Sequence, residues 1–496
     1  MRLQPLSRKK NALEQSLLAL AERLRPVFVD RRTFERFQRL VCGLLATEGR
    51  HTITAMMQAT GRADCDWSGD YRVFSRSPWE PCEVFRRLLQ PALDLYPPAR
   101  PTIVASLDDT NLRKSGTHIP GVAYRRDPMS PPFQTNLIRA QRFVQISLAV
   151  PFGTGPSAAR AIPVGFDHAP SAGKVKKDAT PEEISVHRER QKSQSLSSYG
   201  VQAITRLRQD LDQSSRSNSH LLVAVDGSYT NKTVLQQLPP RTHLIGRIRK
   251  DAVLHELPTV RTEAQRGRPR TYGARLPTPE ELRQDESTPW TSVRVFAAGR
   301  EHDCDVKQTA PLLWRKAGCD LPLRVIVIRP LGYRLSKSSR VLYRQPAYLI
   351  TTDLDSSLEA LIQAYFWRWD IEVNHRDEKQ LLGVGHAQVR SARSAERAPA
   401  FAVASYAMLL IAAANTYGIA AREPITDLPK WLKRSAAKQV RLSTAQLLCR
   451  FRTDRRSSST TQHLPNFEHF AHNVERHLKL KKSEITLADA IQFAMN

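Results

Sequence analysis

Apolar positions along the chain fall into two alternating regimes. Phe34, Phe37, Leu40, Val41, Leu44 and Leu45 recur three or four residues apart, with Arg31, Arg32, Arg36 and Arg39 between them, so residues 12–60 read as helix. Ser77-Pro78-Trp79 is a helix start signal, and the stretch after it sets Phe85, Leu88 and Leu89 against Arg86 and Arg87. From Pro101 the pattern changes to short Val/Ile/Leu runs: Thr102–Leu107, Phe143–Val150, Ala161–Val164, His220–Val225 and Thr242–Ile248. Such runs are typical of strands covered on both faces, and Pro163 assigns the third to a sheet edge. Residues 168–220 are polar and charged, with helical character, and a helical stretch is expected around Thr230–Leu238. Residues 251–345 are rich in charge and proline, with β-like runs at Ser292–Phe296 and Leu323–Ile328.

After Ala347–Ile350 the helical period returns. Leu358, Leu361, Ile362, Tyr365, Phe366, Trp369 and Val373 make Leu358–Gln380 one amphipathic helix. Tyr365, Arg368, Glu372 and Lys379 lie at i, i+3, i+7 and i+14 and fall along one stripe of it. By spacing alone this could be surface ion pairing. Ala400–Ala414 is the most apolar stretch; it is 15 residues long and fits a buried core helix better than a membrane span. No signal-peptide core follows the N-terminus, and no internal repeat is evident.

Composition narrows the function classes. The 496 residues carry 75 Lys and Arg against 48 Asp and Glu, a net charge of +27, which points to a polyanion and above all to nucleic acid. Hydrophobic residues make up 41%, which argues against a mostly disordered chain. The six cysteines form no C-x-x-C pair, so neither a zinc ribbon nor a redox dithiol is indicated, and their scatter fits reduced thiols in the cytoplasm.

Acidic residues close two of the strand-like runs, Asp108-Asp109 the first and Asp226 the fourth. A parallel-type sheet gathers its strand ends at one edge, where ligands bind. If Glu372 packs over that edge, three carboxylates converge. They need a counter-ion, and hard oxygen donors suit Mg2+ or Mn2+.

The chain resembles the DDE transposases of bacterial insertion sequences. The spacing Tyr365-x2-Arg368-x3-Glu372-x6-Lys379 matches that family's Tyr-Arg-Glu-Lys motif. Asp226-Gly227-Ser228-Tyr229 resembles its second-aspartate motif, and Asp108-Asp109-Thr110 with Lys114-Ser115-Gly116 its first. The resemblance covers residues 60–420 and implies an α/β fold: an RNase H-like mixed sheet flanked by helices, with an N-terminal helical domain and a β-rich insertion before the catalytic helix. It implies that Asp108 or Asp109, Asp226 and Glu372 bind two Mg2+ (or Mn2+) ions per active site. Asp108 is favoured because Thr110 follows it in an Asp-x-Thr arrangement. It also implies that Tyr365, Arg368 and Lys379 contact DNA phosphate.

The expected organisation is a basic helical DNA-binding domain over 1–95, catalytic core over 96–250 and 346–425, a β-rich insertion over 251–345, and a basic helical tail over 426–496. The expected activity is metal-dependent cleavage and strand transfer at element ends. Its partners would be double-stranded DNA, comprising the terminal inverted repeats and the target, and further copies of the chain in a homodimer or larger assembly. No membrane is involved, and the location would be cytoplasmic, at the nucleoid. A nuclease without strand transfer, or a non-catalytic DNA-binding protein derived from such an element, are the alternatives. Arg266 and Arg268 in Gln265–Arg270 resemble a minor-groove strip, or else form a basic turn. Trp290 and Trp314 could stack on an unpaired base or sit in the core. His375 and Glu378 read as solvated helix residues, and Trp367 and Trp369 as packing.

Overall fold

The computed structural model describes residues 12–463, apart from 117, 128–129, 132, 176, 260–269, 319, 334–338, 344 and 425–438. Arg266 and Arg268 lie outside the described residues. The segment expected as one helix over 12–60 is three: α1 (Ala12–Glu22), α2 (Arg31–Ala46) and α3 (Ile53–Gln58). Turn chemistry overrides periodicity at both breaks. Asp30 accepts the Thr33 backbone N–H at 2.7 Å and caps α2, and Thr52 caps α3. Helices α4 (Ser68–Ser75) and α5 (Pro81–Leu93) follow, then β1 (Thr102–Arg113), β2 (Ala123–Arg126), β3 (Leu137–Pro151) and β4 (Ala159–His168).

The polar stretch forms α6 (Pro181–Ser193) and α7 (Leu196–Asp212), which lead to β5 (His220–Val225), the single turn α8 (Lys232–Leu235) and β6 (Thr242–Arg247). Residues 251–345 contain β7 (Leu254–His255), β8 (Arg275–Leu276), α9 (Pro279–Gln284), β9 (Thr291–Ala297), β10 (Arg300–Trp314), β11 (Leu323–Ile328), β12 (Gly332–Tyr333) and β13 (Leu342–Tyr343). The chain continues through β14 (Ala347–Thr351), α10 (Leu358–Trp367), α11 (Trp369–Gln380), α12 (Ala392–Tyr417), β15 (Arg422–Pro424), β16 (Gln439–Arg441) and α13 (Thr444–His463).

Two compact units result. One comprises Pro81–Arg376 and Arg390–Glu396, the other Met1–Glu80, Asp377–Val389 and Arg397–Asn496. The first is a mixed 12-stranded sheet flanked by helices, in the order β2-β3-β1-β5-β6-β14-β11-β10-β7-β8, with β4 on β3 and β9 on β10. Strand β1 is antiparallel to β3 and parallel to β5, and β5 is parallel to β6. Strand β4 pairs with β3 alone, as its Pro163 requires, and the register shifts beside that residue. Of the strands of 251–345, β7 to β11 continue the main sheet through β14, while β12 and β13 pair only with each other. One face of the sheet packs on α10: Val104 of β1, Leu222 and Ala224 of β5 and Ile245 of β6 share a buried cluster with Leu361, Ile362, Tyr365 and Trp367.

In the other unit, α2 and α4 present Phe37 and Phe74 edge-on to Phe401 of α12. Arg452 of α13 donates to the Leu45 and Thr47 carbonyls, satisfying the C-terminus of α2. By length and composition α12 could cross a membrane, but 94% of its most apolar window is buried inside the protein.

One close approach ties the fold to the acidic strand ends. A Cβ on Gly246 of β6 would stand 2.1 Å from the Thr230 hydroxyl and 2.7 Å from Val225. Thr230 in turn donates to the Asp226 carbonyl at 2.9 Å, closing the turn that carries Asp226. Glycine lets that turn lie against β6. Gly246→Ala should therefore overpack the turn and destabilise the protein by about 1–3 kcal/mol. Chemical denaturation measures this; a variant as stable as the wild type would show that the approach is not required.

Candidate active site

Strand register brings the acidic residues level. Ser106 pairs with Ala224 and Leu107 with Val225, so the next residues, Asp108 and Asp226, emerge side by side from adjacent parallel strands. Alternation then separates Asp108 from Asp109. Val104 faces α10, so Ser106 and Asp108 lie on that face and Asp109 on the other. The opposite face belongs to α7, whose Gly200 packs on Leu107 and Tyr229. Asp226 is fixed by its own turn: its carboxylate accepts from the Ser228 N–H at 2.9 Å and from the Ser228 hydroxyl at 3.1 Å.

The helix expected over Leu358–Gln380 is two segments that abut at Arg368. There the bonds tighten to i+3, Arg368 N to Tyr365 O and Ile371 N to Arg368 O. The Arg368 side chain is largely buried and points into the site. Its Nη1 lies 3.5 Å from Asp108 Oδ2, and its Nη2 donates to Glu372 Oε1 at 2.8 Å. Tyr365 is buried beneath it, its ring centroid 5.8 Å from the guanidinium. Lys379 is exposed two turns further along α11. Asn374 anchors α11, donating to the Ser147 hydroxyl of β3 and the Ala161 carbonyl of β4.

Burial pushes the Asp108 carboxyl up to about 6; Asp226 acts in the same sense, while His375 and Arg368 oppose it. Asp109 is raised as well, chiefly by burial, with Arg142 opposing. His375 opposes both shifts, while Arg368 acts on Asp108 and Arg142 and Arg125 on Asp109. Tyr229 is fully buried, and burial, followed by the Asp109, Asp108 and Asp226 charges, drives its phenol well above the ordinary range.

A family profile described as DDE superfamily endonuclease matches residues 23–316. The chain belongs to that family. The matched span contains Asp108, Asp109 and Asp226 and ends before Tyr365, Arg368, Glu372 and Lys379. No curated protein matches the chain. The fold is the mixed α/β arrangement of an RNase H-like DDE domain with N-terminal helices, and the family assigns a nuclease type of activity on DNA.

Such enzymes generally use divalent metal ions. Here the donor chemistry fits: Asp108, Asp226 and Glu372 supply hard oxygens, and a positive charge already stands between two of them in the Arg368 guanidinium. Among the described residues no three Asp, Glu, His or Cys side chains are drawn together closely enough to hold an ion.

Other expectations need correction. His375 and Glu378 are not solvated; they are 8% and 1% exposed. Trp367 packs as expected, donating to the Ser157 carbonyl at 2.7 Å, but Trp369 is 64% exposed. Trp314 is buried, and Trp290 lies under the Lys307 ammonium and the Arg329 guanidinium. The residues missed are those that support the acids: Asn374, His375 and Arg142. His375 follows Glu372 at i+3, which was the available signal.

The Asp108 shift has a definite sign. Its folded value of about 6 exceeds the ordinary 3.8, so its ionisation destabilises the fold increasingly as pH rises from about 4 to about 6, and fully above that. Asp108→Asn removes this penalty. Relative to the wild type, the variant should gain about 1–3 kcal/mol between pH 4 and pH 7. Thermal unfolding at the two pH values tests this, and a stability difference that does not change with pH contradicts the assignment.

Proposed function

We infer that this protein is an insertion-sequence transposase that cuts DNA at the ends of its element and joins the freed ends to a target. The observation that carries the reading is the Arg368 bridge, which links Asp108 of β1 to Glu372 of α11, while Asp226 is level with Asp108 on the neighbouring strand. Tyr365, Arg368, Glu372 and Lys379 also keep the Tyr-Arg-Glu-Lys spacing.

In this reading Asp108, Asp226 and Glu372 hold Mg2+ or Mn2+, two ions per site. When bound, these ions lower the barrier to phosphodiester attack by activating the entering oxygen and stabilising the leaving one. The protein supplies position and charge. Arg368 exchanges its carboxylate partners for a phosphate oxygen, which it can grip in bidentate fashion. Tyr365 packs beneath the guanidinium and limits where it can swing. Lys379 meets the backbone further along as a point charge. Asn374 keeps α11 seated on β3 and β4, so Glu372 stays in line with the strand ends. Asp109, on the α7 face, is a structural neighbour of Arg142 and not a ligand. The substrates are the terminal inverted repeats and target DNA, the working form is a dimer or larger assembly on paired ends, and the site of action is the nucleoid.

Glu372→Gln tests the assignment. The variant should keep its affinity for duplex DNA and lose Mg2+-dependent strand cleavage by a factor of about 10²–10³, the scale of losing one charge-stabilising group. Cleavage at the wild-type rate rejects Glu372 as a catalytic residue. A separate assay with pre-cut ends decides strand transfer: joining to a target plasmid supports a transposase, and hydrolysis alone leaves a nuclease.

A further inference from the structure

The tip of the β2–β3 ribbon takes no part in the site described above, yet it extends β3, which pairs with β1 beside Asp108. Beyond Asp108, β1 runs on to Arg113 and pairs with β3 to Ala140; from Ala140 to Leu137, β3 is joined by β2. Residues 113–142 hold Arg113, Lys114, Arg125, Arg126, Arg139 and Arg142 against one acid, Asp127. The ribbon also exposes large apolar side chains that a solvated hairpin has no need of: Tyr124 at 71%, Leu137 at 63% and, in the connecting loop, Phe133 at 89%.

Register shows which way this surface faces. Tyr124 is directly opposite Arg139, and Arg126 opposite Leu137, so these four share one face of the ribbon. Alternation along β3 carries that face from Leu137 through Arg139, Gln141 and Phe143 to Gln145, and Gln145 pairs with Asp108. The basic, aromatic tip therefore lies on the same side of the sheet as Asp108, with Gln141, Phe143 and Gln145 buried between them. Arg125 and Arg142 belong to the other face, with Asp109. Arg139 is braced for the role: its guanidinium donates to the Ser115 and Gly116 carbonyls and stands 5.8 Å from the centre of the Tyr124 ring.

We propose that this face of the β2–β3 ribbon is a DNA-binding surface that holds the duplex beside the cleavage point, with Arg126 and Arg139 on backbone phosphates and Tyr124 and Phe133 as apolar contacts in the groove. A two-stranded ribbon has the width of a major groove. The strand rise sets the distance. Five residues separate Asp108 from Arg113 and three separate Ala140 from Leu137, so at roughly 3.3 Å per residue the ribbon spans about 15–25 Å from the carboxylate. At about 3.4 Å per base pair, that corresponds to contacts roughly five to eight base pairs from the cut. The inference rests on the DNA-cleaving reading of the Asp108 site and adds where the duplex runs.

The test uses the full chain and a 40-base-pair mixed-sequence duplex, with dissociation constants measured by fluorescence anisotropy over a salt series. Arg126→Gln should lower the log–log salt slope by about 0.9, one phosphate contact. Tyr124→Ala/Phe133→Ala should weaken binding at least tenfold with the slope unchanged. Both sites are exposed, so unfolding temperatures should match the wild type, and light scattering should give the same mass. Wild-type affinity and slope in both variants overturn the proposal. So does a changed mass with unchanged DNA affinity, which makes the aromatic tip a contact between copies of this chain. A wild-type chain that binds no duplex removes the DNA-cleaving reading itself.

Discussion

Arg368 sits between two carboxylates drawn from different elements, and the surrounding packing keeps that ion network in place. Parallel pairing of β1 and β5 sets Asp108 and Asp226 side by side, and α11 adds Glu372. Like charges brought to one sheet edge repel one another. Burial adds to the cost, as the raised Asp108 carboxyl records. A single guanidinium that reaches two of the three acids offsets part of both terms. On the proposed reading, a divalent cation would draw on the same carboxylate oxygens that Arg368 meets.

The helix carrying Arg368 and Glu372 is secured by unlike means along its length. Segment α10 is held by apolar contact with β1, β5 and β6. Segment α11 has a polar seat: Asn374 is buried and donates to β3 and β4, and His375 and Glu378 are buried with it. Buried polar groups of this kind specify one seating, because a shift of α11 would leave them without their partners. The Arg368 junction lies where the apolar seat gives way to the polar one.

This division explains what was legible in the sequence. The Val/Ile/Leu runs marked β1, β3, β5 and β6 because strands covered on both faces have no other way to be written. The spacing of Leu361, Ile362 and Tyr365 marked α10 for the same reason. Segment α11 misled, since periodicity equates polar with exposed and so sent His375 and Glu378 to solvent and Trp369 to the core. The choice between Asp108 and Asp109 was closed to local pattern as well. It depends on which helix covers which face of β1, a fact held by α7 and α10, far along the chain from Asp108. The breaks in 12–60 were written locally, in Asp30 and Thr52, but the apolar period across them is strong enough to hide a cap.

Charge accounting around Asp108 constrains how DNA can approach. Asp108, Asp109, Asp226 and Glu372 put four carboxylates at this end of the sheet, with Arg368, Arg142 and Arg125 among the cations that face them, and a phosphodiester is negative too. Screening confines each charge to about 8–10 Å at physiological salt, so the net charge of +27 cannot rescue the encounter from a distance. Attraction has to be local to each phosphate. On the proposed reading, cations within the site would serve the phosphate that is cut, and cations further along β1 and β3 its neighbours. A sheet in which the acid-bearing strand β1 pairs with β3, and β3 runs on to pair with β2 in a basic ribbon, offers both within one sheet.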